Sequence, residues 1–422
     1  MTARPSISRI AQLAATIVAS VAEFESALAA KDIPSPAFDE NNTTTTPEDA
    51  VDAQDTIIDA ASELIDLLRA PLASLYLQGA HNANVPLQFI SRFRIADLVP
   101  LGGRASYAEI AEKTGVERQL VRRLLRYAMT MRVFCEPEPD MVAHTRISKA
   151  LANSDIPLNE WLRVGTHEMW PASVKMLDAV QNYPSASEPN ETGFSLANNT
   201  SDSIYDILGQ SPKRAAAFAR SMKVFSAQPA HSTQYITHHY PWAALGPDIR
   251  VVDLGGSRGH VAIALASHHP NLRILVQDLP AMISGAEAAL PHNLKGRVTF
   301  REHDLFSEQT EPADVYYMRW ILHNWSDKYC LQILRAQIPM LRKGTRVIIQ
   351  EAVLPEPGQG SLWRERYHRM SDMTMASVFN GKERTVAEWK ALLAEADKRF
   401  VLKGVTEPKG SALGILEVIW EA

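Results

Sequence analysis

Hydrophobic and polar positions divide the chain into a helical first part and an alternating second part. Ile10, Leu13, Ile17, Val21, Phe24 and Leu28 step by 3, 4, 4, 3 and 4 residues, with Gln12, Thr16 and Ser20 forming a polar stripe. Residues three and four apart share a helix face, so this spacing predicts an amphipathic helix with a pairing seam. Arg4 and Arg9 precede the apolar stretch from Ile10 to Ala22 in the manner of a secretory signal, but the helical period argues for the helix. The polar run Asn41 to Pro47 reads as a loop, and Ile57, Ala60, Ala61, Leu64, Leu67 and Leu68 mark a second apolar face. A third helical pattern runs through Leu87, Ile90 and Phe93 to Leu98. Ser106 and Glu109 then have capping-box spacing, in which each side chain can satisfy a first-turn amide of the other. A short helix should follow, turning at Gly115 into a second helix from Glu117 to Met131. The stretch Val133 to Thr145, broken by Pro137 and Pro139, would be a two-stranded wing. Helix, turn, helix and wing in this order describe a winged-helix unit.

Leu158 to Tyr183 is again helical in pattern, Pro184 to Ser203 is an irregular connection rich in Ser, Asn, Pro and Thr, and Pro212 to Phe225 is a helix. Beyond Pro241 the texture changes. Strand-like runs at Ile249 to Leu254, Arg273 to Gln277, Val298 to Arg301, Val315 to Met318 and Val347 to Gln350 alternate with helical ones. Such alternation predicts βαβ units and a mainly parallel sheet. The last runs, Phe400 to Val405 and Leu413 to Trp420, have no long helix between them and would close the sheet as an antiparallel hairpin.

A length of 422 residues suggests two or three domains, and 46% hydrophobic with 22% charged residues is globular composition. Lys and Arg number 43 against 48 Asp and Glu, a formal charge of -5 that gives no overall pull toward nucleic acid or an anionic membrane. Arg118, Arg122, Arg123 and Arg126 would line the second winged helix and could meet phosphates, yet no other basic cluster supports them, and a solvated face is the better reading. The two cysteines, Cys135 and Cys330, stand far apart and have no metal-ligand spacing. A reducing, cytoplasmic setting is expected, with no membrane partner, since no apolar run reaches the roughly 18 residues of a span.

Chemistry enters at Val251-Val252-Asp253-Leu254-Gly255-Gly256-Ser257-Arg258-Gly259-His260, a strand running at once into a Gly-rich turn and a helix. Glycine allows close backbone approach and the helix presents free amides. The turn lacks the register of a dinucleotide fingerprint, and Asp253 at the strand end would repel a pyrophosphate. A carboxylate there suits a ligand with an ammonium and a sulfonium and no phosphate, as in S-adenosylmethionine. Asp278 after the next strand stands where such folds place an acid on ribose hydroxyls, and Asp304 follows the third strand. The fourth strand ends in Tyr316-Tyr317-Met318-Arg319-Trp320-Ile321-Leu322-His323-Asn324-Trp325-Ser326-Asp327, which puts a histidine at the sheet's ligand-binding end. Histidine titrates near neutrality and can take a proton from a hydroxyl nucleophile.

These motifs resemble the plant-type, caffeate-like class I S-adenosylmethionine-dependent O-methyltransferases, most closely their fungal secondary-metabolism branch, over nearly the whole chain. The resemblance implies an α/β fold: a C-terminal Rossmann-like seven-stranded methyltransferase sheet with an N-terminal all-helical dimerisation and winged-helix domain. Its expected division is 1–155 for dimerisation and winged helix, 156–245 for a helical connection contributing to the substrate pocket, and 246–422 for cofactor binding. It implies a homodimer through the N-terminal helices and a phenolic or polyketide-type substrate, and it weakens the nucleic-acid reading further. The family's general base matches His323, and its two supporting glutamates match Glu351 and Glu383, the latter in Gly381-Lys382-Glu383-Arg384-Thr385. By the same comparison Asp253, Gly255 and Gly256 form the cofactor loop, Asp278 and Leu279 meet the ribose, and Asp304 and Leu305 frame the adenine. Arg319 replaces a common lysine near the cofactor, keeping the charge but not the geometry.

His167, Trp170, Met373 and Phe379 are pocket expectations, although Met and aromatic stripes are more often core. Ser257 and Leu305 depart from the family pattern, which more often has glycine and methionine there. No metal is expected, because no cluster has ligand spacing and His323 supplies a base. The resemblance also brings a rival on the same fold, a pericyclase that binds the cofactor and steers a rearrangement without methyl transfer. Such enzymes tend to lose the base histidine, so the retention of His323, Glu351 and Glu383 favours methyl transfer.

Overall fold

The computed structural model describes residues 7–152 and 158–421. Arg4 and the expected boundary at 155 lie outside these residues. Two compact units emerge, one from Met1–Pro171, Leu208–Phe225 and Gly360–Arg364, the other from Ala172–Ile207, Ser226–Gln359 and Glu365–Ala422.

In the first unit the amphipathic period becomes the helix Arg9–Ala29, capped by the Ser8 hydroxyl on the Ala11 amide. It packs on the helix Val51–Leu68, with Phe24 and Leu28 meeting Ala50 and Ala53. Leu13, Phe24 and Leu28 are buried as the seam requires, while Ile10 and Val21 remain exposed in the single chain. Ser20, expected on the polar stripe, is buried, because a serine is small enough to be covered by the crossing of two helices. Leu67 and Leu68 stay exposed. Among the described residues, Arg9–Ala29 is by length and composition long and apolar enough to cross a membrane, a test that an amphipathic or signal helix also passes.

The third helical pattern is two helices, Asn84–Arg92 and Ile95–Leu98, broken where Arg94 takes a left-handed φ of 50°. The capping box forms as expected: Ser106 Oγ accepts from the Glu109 amide, Glu109 reaches back, and the helix Tyr107–Thr114 ends at Gly115 with φ 69°. A second helix, Arg118–Thr130, follows. The wing strands are β2 (Cys135–Glu138) and β3 (Met141–Ala143), and β1 (Ala105–Ser106) adds a third, so the unit is mostly rather than wholly helical. Ile90, Ile95, Tyr107, Ile110, Val121, Leu125, Phe134 and Val142 form its core. Three of the four arginines that suggested a DNA face turn to the wing's acids instead: Arg118 and Arg122 approach Asp140, and Arg126 forks onto Glu136 at 2.7 Å twice.

The second unit carries seven strands: β4 (Ile249–Leu254), β5 (Leu272–Asp278), β6 (Val298–Glu302), β7 (Val315–Arg319), β8 (Arg346–Glu351), β11 (Phe400–Thr406) and β12 (Gly414–Trp420), with a small parallel pair of β9 (Val353–Leu354) and β10 (Arg384–Thr385) beside them. Their order is β11-β12-β8-β7-β4-β5-β6, parallel except for β12. The strands read as near-continuous apolar runs because both faces are covered. Val252, Tyr316, Met318, Val347 and Ile349 point to one core with Ile333, Trp389 and Leu393. Val251, Val315, Tyr317 and Ile348, one residue out of phase, point to the other with Val261 and Leu265. The strand order reverses between β4 and β7, which opens a crevice at their carboxyl ends.

Candidate active site

The Gly-rich loop and the histidine loop leave the sheet on either side of that crevice. Gly255 and Gly259 adopt φ of 70° and 74°, and Ser257 takes a left-handed φ of 49°. The loop's own packing requires its glycines: a Cβ on Gly255 would lie 2.4 Å from Ile321 Cδ1, and one on Gly256 2.5 Å from Asp253 Oδ2. What points to a ligand is Asp253. Its carboxylate is buried, and Oδ2 has no hydrogen-bond partner. Burial, with the charge of Asp278 and against that of Arg319, raises its pKa to about 7. An orphaned buried carboxylate beside a second acid fits a cationic group, so the residues present suit S-adenosylmethionine.

Asp278 sits at the end of β5 and accepts the Ser257 amide at 2.8 Å and the Leu279 amide at 2.7 Å, which fixes the loop against the next strand. Asp304 accepts the Phe306 amide at 3.0 Å, Leu305 is partly buried below Gly255, and Leu279 is exposed. Arg319 is buried: it donates to the His231 carbonyl at 2.6 Å and to Gln350 Oε1 at 3.3 Å, and lies over the Trp320 ring. Trp320 itself has φ of 54°, a strained backbone where the chain leaves β7.

His323 lies in the single turn Leu322–Asn324 just after β7. Glu351 ends the neighbouring strand β8, and its Oε1 accepts the amides of Ile321 and Leu322, each at 2.9 Å. The other oxygen faces the imidazole, 3.8 Å from Nδ1. Glu383 arrives from the turn before β10, which the β9–β10 pairing holds beside the end of β8. Its Oε1 accepts from His323 Nδ1 at 2.9 Å and from the Ser371 hydroxyl at 3.0 Å, and its own amide donates to Asp372. The two loops also meet backbone to backbone at Gly381, where a Cβ would fall 2.1 Å from the His323 carbonyl. With Nδ1 donating to Glu383, the lone pair of the neutral ring is on Nε2.

Burial alone would lower the pKa of His323, but the carboxylates of Glu351 and Glu383 outweigh it and push it up to about 9. Burial also opposes ionisation of Glu383, yet the imidazole and its hydrogen bonds hold that carboxyl below its usual range. Glu351, fully buried, is raised. Spacing along the chain suggested no metal set, but the fold brings His323, Glu351 and Glu383 close enough to offer ligand atoms within 4.8 Å of one another.

The pocket expectations fall in different places. Phe379 is buried and tilts against Tyr205 at 5.9 Å, while Met373 is half exposed on the same helix, Leu362–Phe379. His167 and Trp170 belong to the first unit, where His167 Nε2 accepts from Arg92 at 3.1 Å within a π-turn, Gly165–Met169. The motifs missed Tyr205, which stacks on Trp325 at 5.3 Å and 17°, and Ser371 and Asp372, which position Glu383. The irregular connection is also more ordered than its composition suggested. It contains the helix Gly193–Ala197, and Glu188 is held by Lys328 and Tyr329 while Asn380 donates to the Glu188 and Glu191 carbonyls. A cleft of about 620 Å³ lined by Pro280, Ile283 and Phe300 contains none of these residues.

Residues 184–398 match the O-methyltransferase domain family, and residues 75–154 match the O-methyltransferase dimerisation domain. The chain is 42% identical to O-methyltransferase PaMT of Phomopsis amygdali, over 99% of this chain and 98% of that protein. It is 33% identical to the chlorophenol O-methyltransferase of Trichoderma longibrachiatum, over 89% and 82%. Among solved structures, LepI in complex with S-adenosylmethionine superposes with TM-score 0.74 at 23% identity, and one described as a pericyclic reaction enzyme with TM-score 0.72 at 23%; each alignment covers 97% of this chain and 100% of the other. At that identity the two structures speak for the fold alone. The full-length relatives and the domain matches establish that the chain belongs to the S-adenosylmethionine-dependent O-methyltransferase family.

Proposed function

We propose that this enzyme methylates a phenolic hydroxyl of an aromatic or polyketide-type metabolite, with His323 as general base. The observation that carries the reading is the cluster of His323, Glu383 and Glu351 at the crevice between β7 and β4. Bound S-adenosylmethionine supplies an already activated methyl group on a sulfonium. Asp253, Asp278 and the loop Gly255–Gly259 would hold it, with Asp304 and Leu305 beside the adenine. His323 Nε2 takes the proton of the acceptor hydroxyl. Glu383 keeps Nδ1 protonated and stabilises the imidazolium, the part a carboxylate plays beside other catalytic histidines. Glu351 holds the turn by two amides and adds its charge. Most of the acceleration comes from holding the hydroxyl oxygen in line, because the donor needs alignment more than activation.

A base with a pKa of about 9 is well matched to a phenol, whose own pKa is about 10, and poorly matched to an aliphatic alcohol. The aromatic cluster of Trp325, Tyr205 and Phe379 supports a ring-bearing acceptor, as does the relative named a chlorophenol O-methyltransferase. Met373, half exposed on the helix that carries Phe379, is proposed to complete the pocket. The exposed Ile10 and Val21 support pairing of two copies through the N-terminal helices, in keeping with the dimerisation-domain match, and a cytoplasmic setting is part of the same proposal.

Incubation with S-adenosylmethionine and a panel of chlorophenols and hydroxylated aromatic polyketides, read by mass spectrometry, tests the reading. Gain of one methyl group with release of S-adenosylhomocysteine supports it. Isomerisation of an acceptor without change of mass would select the pericyclase chemistry instead.

A further inference from the structure

Arg384 follows Glu383 in the turn and is completely buried, which is unusual for an arginine. Every nitrogen of its guanidinium is engaged. Nε and Nη2 fork onto Asp327 Oδ1 at 3.1 and 2.8 Å, Nη1 donates to the Leu322 and Lys382 carbonyls at 3.2 Å each, and Nη2 donates to the Trp325 carbonyl at 3.1 Å and Cys330 Sγ at 3.3 Å. Its far face lies over the Trp389 ring at 5.1 Å. Two of these acceptors, the carbonyls of Leu322 and Trp325, bracket His323 and Asn324. A third, Lys382, directly precedes Glu383. One rigid planar fork therefore ties the loop that carries His323 to the turn that carries Glu383.

We propose that Arg384 is the positioning residue for the base: by tying the Leu322, Trp325 and Lys382 carbonyls together it sets the separation between His323 and Glu383. Asp327 anchors the fork from the surface, where it is half exposed and also pairs with Lys382 at 2.8 Å. A lysine at 384 would keep the positive charge but could not span the Leu322, Trp325 and Lys382 carbonyls together, since an ammonium is a point donor on a flexible stem. The charge of Arg384 itself works to lower the His323 pKa, so only charge-conserving changes isolate the geometry.

The proposal rests on His323 being the base, but its test does not need turnover. His323 is titrated by NMR in protein labelled at histidine, its signal assigned among the 13 histidines by loss in His323→Gln. The midpoint is then compared in Arg384→Lys and Asp327→Glu, with S-adenosylhomocysteine affinity and circular dichroism confirming an intact sheet. The proposal expects the midpoint to fall from about 9 toward the ordinary 6.5 in Arg384→Lys, and part of the way in Asp327→Glu. In methyl-transfer assays at pH 10, above both midpoints, kcat should fall about 100-fold with KM little changed, the effect of a displacement of roughly 1 Å at the reacting centre. If Arg384→Lys does not fold, Asp327→Glu decides. A folded variant with unchanged affinity for S-adenosylhomocysteine and an unchanged His323 midpoint would overturn the proposal. A shifted midpoint in an enzyme that transfers no methyl would leave it standing and refute the proposed reaction instead.

Discussion

His323 Nδ1 lies 2.9 Å from Glu383 Oε1 and 3.8 Å from Glu351 Oε2, with all three side chains buried, so one carboxylate accepts the ring proton and the second adds its charge beside it. This gives the activity and the stability opposite dependences on pH. The neutral imidazole that accepts a proton becomes the majority form only above the midpoint of about 9, so kcat/KM should rise tenfold per pH unit below it and level off above. Stability runs the other way. The folded midpoint lies above the ordinary 6.5, so the stabilisation is complete below pH 6.5 and lost as pH rises through 9. Denaturant melts and a pH–rate profile of the same preparation check both signs.

Glu351 does two things at once, and a substitution can separate them from the charge effect. Glu351→Gln keeps an oxygen for the Ile321 and Leu322 amides and should stay folded, with the His323 midpoint lowered and kcat reduced. Glu351→Ala leaves both buried amides without a partner and should cost a further ~1–3 kcal/mol in a urea melt.

The N-terminal loop of the sheet makes a prediction about cofactor and stability together. Asp253 is raised to about 7, chiefly by burial, so without ligand its effect on stability is most favourable below about pH 4 and is lost as pH rises through 7. Asp253→Asn should therefore raise the melting temperature of the free enzyme at pH 8. In calorimetry at the same pH it should weaken S-adenosylhomocysteine binding, because the cationic end of the ligand loses its partner. A variant both more stable and equally tight in binding would remove Asp253 from the cofactor site.

Ser257 offers the simplest stability test. Its φ of 49° strains an L-residue, while its amide is needed on Asp278. Ser257→Gly relieves about 1–2 kcal/mol of left-handed strain and loses about 0.5–1 kcal/mol to the freer unfolded chain, for a net gain of about 0–1.5 kcal/mol in chemical denaturation.

The parts legible in the sequence are those governed by local rules. The strands were readable because burial on both faces makes each an apolar run, and the ends of β4 and β7 came within a residue of expectation. The Ser106 capping box and Gly115 turn followed from backbone chemistry, and His323, Glu351 and Glu383 from their motifs. What stayed hidden depends on long-range packing. Tyr205 stacks on Trp325 across 120 residues of chain with no signature of its own, and the break at Arg94 interrupts an unbroken apolar period. Ser20 was assigned by polarity, whereas its burial was decided by size and a neighbouring helix. The metal-capable geometry of the three site residues was invisible for the same reason: they come from three separate segments.

The assignment of His323 as the base for methyl transfer underlies the whole mechanism. It is tested most directly by single-turnover transfer of a labelled methyl group from S-adenosylmethionine to an accepted phenol by His323→Ala. S-adenosylhomocysteine affinity should stay near that of the parent enzyme while transfer falls by about 10²–10⁴-fold, with the steep rise toward pH 9 abolished. Transfer at the parent rate by a folded His323→Ala protein, with the same pH profile, would contradict it.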